Sequence, residues 1–137
     1  MPLVAADSVA AFGVEWRDHV LQSGICVHAF KREKNACTRA FLHMILHCIF
    51  SHPFQYEKLD RECWDLATDL AVEQSILDLN LKCVELERDA SLKRTLSHLA
   101  QKVPILTAEK IYRWLYENPE ESAEFSGKNR SLCGMII

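Results

Sequence analysis

The chain has 137 residues, 49% of them hydrophobic, and a formal net charge of −3. That length fits a single core. Three Trp, three Tyr and six Phe spread along the chain exclude a disordered or low-complexity polymer, and the mild acidity argues against a nucleic-acid partner.

Six Cys stand at 26, 37, 48, 63, 83 and 133 with no close pair. The opening Met-Pro-Leu-Val-Ala-Ala-Asp has neither the basic nor the apolar region of a secretory leader, so reduced thiols in the cytoplasm or nucleus are expected. The longest apolar stretch, Met44 to Phe50, is interrupted by His47 and is too short to span a bilayer.

In chain order, Asp7 or Ser8 can cap a first helix to about Gln22, with Val9, Phe12, Val14, Trp16 and Val20 as its apolar residues and Gly24 as its stop. Residues 25–34 read as a connector, a short strand or the start of the next helix. A second helix is predicted from about Asn35 to Ser51. Its stripe of Cys37, Phe41, Leu42, Ile45, Cys48 and Ile49 should face the core, with Arg39, His43, His47 and Ser51 opposite, and Pro53 ends it. Asp60 caps a third, acidic helix to Leu77. There Cys63, Trp64, Leu66, Ala67, Leu70, Ala71 and Leu77 gather on one side, while Glu62, Asp65, Asp69 and Glu73 gather on the other. Cys48 and Cys63 fall on apolar sides and should be buried.

Beyond Leu77 the phase slips and a break near Asn80 is expected. Ser91 is positioned to cap a helix stopped by Pro104, Thr107 a helix through Ile111, Trp114 and Leu115, and Asn118-Pro119 a last one ended by Gly127. The expected fold is all-α, a compact bundle or α-hairpin array of five to six helices, with one domain over 1–127 and a flexible tail over 128–137.

Four isolated glycines cannot form a phosphate cradle, and no nucleophile elbow or dinucleotide turn occurs. A non-enzymatic protein without a cofactor is therefore expected. Charge is segregated: residues 57–78 hold seven acids against two bases, and residues 79–113 hold seven bases against four acids. These features suggest an intracellular adaptor or complex subunit. It would bind a partner's basic or amphipathic helix through an apolar groove flanked by Glu62, Asp65, Asp69 and Glu73. A self-associating structural subunit is a further option.

A different reading starts from His43 and His47, whose four-residue helical spacing lets two imidazoles share a metal ion, with Cys48 and His52 nearby. Against it, position 44 is Met where a zinc protease carries its Glu, and Arg39 one turn earlier would repel a cation. Solvated or locally hydrogen-bonded histidines are the simpler expectation.

Three short resemblances complete the sequence reading. Val72, Ile76, Leu79 and Leu81 resemble the spacing of leucine-rich nuclear export signals, but such a signal must be exposed, and core packing of an ordinary amphipathic helix is the expectation. Met135-Ile136-Ile137 resembles the hydrophobic C-terminal ligands of PDZ domains, in which Met135 and Ile137 would enter pockets. Trp114-Leu115-Tyr116-Glu117-Asn118 with Phe125 resembles a helical homology segment of the apoptosis regulators. The Asn-Trp-Gly core that should precede it is missing, and Trp114 is expected as a core anchor.

Overall fold

The computed structural model describes residues 33–55 and 57–133, with side chains to residue 127, and the backbone at 3–4, 13–14 and 19–20. The fold is all-α. Helices α1 (Ala36–Ile49), α2 (Arg61–Leu79), α3 (Asp89–Lys102), α4 (Ala108–Glu117) and α5 (Pro119–Cys133) follow one another, with 3-10 turns at His52–Phe54 and Lys82–Val84.

Local chemistry sets most of these boundaries. The Asp60 carboxylate accepts from the Cys63 amide at 2.9 Å and so caps α2. Asn80 closes the helix in the left-handed region, at φ 49°. Pro119 opens α5, as its fixed φ favours. Helix α3 begins at Asp89, two residues before the expected Ser91. Gly127 does not end α5, which continues to Cys133. A Cβ there would meet nothing within 4 Å, so this glycine is an exposed helical residue that weakens the helix by about 1 kcal/mol without breaking it. Within the expected first helix, the described residues Gly13–Val14 and His19–Val20 are extended and pair with each other, and Leu3–Val4 lies beside the latter. Those positions are therefore not helical, and the remainder of that segment lies outside the described residues.

Helix α2 is the axle of the fold. One side carries Trp64, Leu66, Ala67, Leu70 and Ala71 into a core completed by Leu92, Leu96, Leu99, Ile111, Leu115 and Phe125 of the three later helices. Its most extensive packing is against α4. Trp114 is only partly buried and packs at the edge of this core with its ring edge-to-face on Phe125, 5.8 Å between centroids, a more peripheral place than the core anchor expected. Val72 and Ile76 are buried in a smaller cluster with Val84, Leu42 and Leu46, so the export-like spacing is half core, and only Leu79 and Leu81 are exposed.

Helix α1 is largely inside out relative to its expected orientation, although Leu42 of the expected stripe does pack inward. Its buried residues are Arg39, Ala40 and His43, whereas Phe41, Ile45 and Ile49 are 45%, 41% and 65% exposed. Cys48 is also exposed, and Cys63 is only partly buried. The cause lies across the interface. The polar series on α1 and the acidic series on α2 have opposite signs and the same four-residue repeat. Antiparallel packing therefore sets Arg39 and His43 against Glu73, and His43 and His47 against Asp69. Charge pairing decides the orientation that hydrophobic periodicity alone assigns the other way.

Candidate metal centre

Asp69 and Glu73, expected on the acidic side of the helix as the flank of a binding groove, are 6% and 1% exposed. Glu62 and Asp65 remain on the surface, so the acidic flank is divided between a surface pair and a buried pair. Met135 and Ile137 lie outside the described residues.

The buried pair is held from both sides. Arg39 Nη2 lies 2.6 Å from Glu73 Oε2, and Arg39 Nη1 donates to the Val84 carbonyl at 2.9 Å and to Asp89 Oδ2 at 3.3 Å. Arg88 adds a second guanidinium 3.9 Å from Glu73. The charge of Arg39, which by sequence opposes a cation near His43, is neutralised by carboxylates on two other elements. Asn35, at the start of α1, donates to the carbonyls of Lys82 and Glu85, both at 3.0 Å, and fixes the axial position of the helix.

One turn further along, three donor atoms converge. His47 Nε2 is 2.9 Å from His43 Nε2 and 3.1 Å from Asp69 Oδ1, and His43 Nε2 is 3.4 Å from the same oxygen. Among the described residues this His43, His47 and Asp69 trio is the one group of His, Cys, Asp or Glu whose ligand atoms all lie within 4.8 Å of one another. An ion with bonds of about 2.0–2.1 Å needs donors roughly 3.3 Å apart in a tetrahedron and about 3.0 Å apart on an octahedral face. The triangle fits both.

The remote nitrogens are also engaged. His43 Nδ1 lies 2.7 Å from Glu73 Oε1; since a carboxylate only accepts, Nδ1 carries the proton and Nε2 is turned toward the trio. His47 Nδ1 lies 3.2 Å from His52 Nδ1. His52 itself is outside the converging set, so the metal alternative expected from sequence changes membership: Asp69 enters and His52 moves to the periphery. The signal for Asp69 was available in the sequence as an acidic i, i+4 series matching the basic one in period, though nothing local says which helices pair.

Electrostatics agree with the geometry. Burial disfavours the charged form of His43, but hydrogen bonds to Asp69 and Glu73 outweigh it and raise its pKa to about 9. Burial resists ionisation of the carboxylates too, yet their partners prevail: His43 and His47 hold Asp69 below its usual value, and His43 with Arg39 holds Glu73 at about 2. His52, buried beside His47, is lowered to about 4 and is neutral at physiological pH. At neutral pH His43 therefore carries a second proton, on the Nε2 that meets His47 and Asp69.

No family model, curated protein or solved structure matches this chain.

Proposed function

We propose that this chain is a non-enzymatic helical protein that binds one divalent transition-metal ion between α1 and α2, through His43 Nε2, His47 Nε2 and Asp69 Oδ1. The observation that carries the reading is the convergence of two imidazoles and a carboxylate from two helices, with the His43 ring oriented by Glu73. Two imidazoles and one carboxylate suit zinc or iron(II), not calcium or magnesium, whose sites are built from oxygens. Burial supports the same conclusion. An isolated buried charge cluster is costly, and a dication balances Asp69 and relieves the crowding of two facing imidazole nitrogens.

The centre binds in preference to hydrolysing. A zinc protease carries a Glu immediately after its first histidine to activate water, and here that position is Met44. Glu73, the nearest other acid on the facing helix, is committed to Arg39 and His43.

The test is metal analysis of protein purified without a polyhistidine tag, beside the variants His43→Ala and Asp69→Ala. About one equivalent of zinc or iron in the wild type, lost in both variants, is expected. A wild-type protein that takes up no zinc, iron(II) or cobalt(II) when titrated with them removes the reading.

The adaptor reading keeps a basis of its own in the outward row of Phe41, Ile45 and Ile49 on α1. Residues at i, i+4 and i+8 are the pattern by which an amphipathic partner helix is gripped. A partner helix lost on Ile45→Glu with Ile49→Glu, from a protein that sediments as a monomer, supports it. Concentration-dependent dimerisation lost in the same variant assigns the row to a second copy instead.

A further inference from the structure

We propose that His52 is the positioning residue of His47 in the metal centre, accepting the Nδ1–H of His47 and so fixing the tautomer whose Nε2 meets the ion; this rests on reading His43, His47 and Asp69 as that centre. The argument begins with proton placement. An imidazole that gives one nitrogen lone pair to a metal must carry its hydrogen on the other, and metal-bound histidines almost always donate that hydrogen to a partner. His43 has Glu73 in this role. For His47, Nδ1 lies 3.2 Å from His52 Nδ1. Two imidazole nitrogens at that distance share a single proton, so a donor at His47 makes His52 the acceptor.

His52 is held in place as a residue with that task would need to be. Ser51, which precedes it, takes the left-handed conformation at φ 56°, a region that non-glycine residues seldom occupy and at some energetic cost. That turn folds the chain back after α1 and carries His52 to 5% exposure. Trp64 then fixes it twice: its Nε1 donates to the His52 carbonyl at 3.1 Å, and the two rings meet edge-to-face at 5.9 Å and 82°. Phe50 packs against the same ring at 5.5 Å. A strained turn and a buried tryptophan thus converge on an imidazole whose Nδ1 meets His47. The two ligands become unequal, His43 backed by an anion and His47 by a neutral ring.

The experiment uses the full chain, stripped with a chelator and titrated with zinc and with cobalt(II), in three forms: wild type, His52→Leu and His52→Asn. Asparagine places an acceptor oxygen where Nδ1 stood, and leucine does not. Circular dichroism confirms that each variant is folded. The expected result is a loss of about 10–100-fold in zinc affinity for His52→Leu with shifted cobalt absorption bands, and recovery of most of the affinity and the wild-type bands in His52→Asn. Nitrogen-15 spectra of the zinc form should place the His47 hydrogen on Nδ1. If the wild type binds neither metal, the centre and the role of His52 fall together. If the wild type binds and a folded His52→Leu matches it in affinity and spectrum, the centre stands and the role of His52 is overturned. If His52→Asn is as impaired as His52→Leu, the ring matters through packing alone and the hydrogen-bond assignment is overturned.

Discussion

The Nε2 atoms of His43 and His47 stand 2.9 Å apart, a separation at which one proton or one ion fits between them but two protons do not. With Asp69 Oδ1 within 3.4 Å of both, this contact makes the metal question a matter of proton competition. The pKa of about 9 at His43 means that an incoming ion must displace a proton at neutral pH. Zinc binding at pH 7 is therefore expected to release about one proton per chain and to weaken by up to roughly tenfold for each unit the pH is lowered. Calorimetry in two buffers of different ionisation enthalpy reads the release directly; binding with no buffer dependence contradicts it.

Metal-free stability has its own pH signature. His43 is raised from 6.5 to about 9, so its contribution is complete below pH 6.5 and is lost as the pH rises through 9. His52 is lowered from 6.5 to about 4; its contribution is complete above pH 6.5 and is lost as the pH falls through 4. Glu73, lowered from 4.5 to about 2, steepens the acid limb below pH 4.5. A melting-temperature maximum near pH 6.5 is expected in a scan from pH 3 to 10, and a steady rise from 6.5 to 9 would refute the protonated His43.

The buried ion pairs predict an asymmetry along α1. Glu73→Ala leaves Arg39 buried against one fewer carboxylate and is expected to cost about 3–5 kcal/mol. Ile49→Gln, on the 65% exposed outer row, is expected to change stability by less than about 0.5 kcal/mol. Urea unfolding of the two variants decides the orientation of the helix, and the reverse ranking would turn it over.

Leu70 is 1% exposed at the centre of the main core. Leu70→Ala is expected to cost roughly 2–5 kcal/mol in the same unfolding assay. A cost below about 0.5 kcal/mol would place that face at a surface.

Much of the architecture was legible because it depends on local chemistry. Asp60, Asn80, Pro104 and Pro119 act through their own backbone and side-chain geometry, and the Trp64 and Leu70 face follows from helical period. The candidate site was legible only in halves. The spacing of His43 and His47 is visible in the sequence, and so is the acidic repeat at Asp69 and Glu73. Their meeting depends on which helix packs beside which, and on the preference of opposite charges for each other over solvent. The same competition sent Phe41, Ile45 and Ile49 outward, against what a hydrophobic stripe leads one to expect. The role of His52 depends on a left-handed serine that no residue preference announces.

The main core is assembled from α2 through α5, with no residue of α1 in it. The first helix is thus fastened to a core to which it contributes no buried residue, by the ion pairs of Arg39, His43 and His47 and by an apolar seam of Leu42 and Leu46. Such a strut would respond to protons, and on the proposed metal reading to chelators and cations, while the main core keeps its packing. Its outer apolar row lies on the same helix, so the charged inner face and the apolar outer face share one mounting.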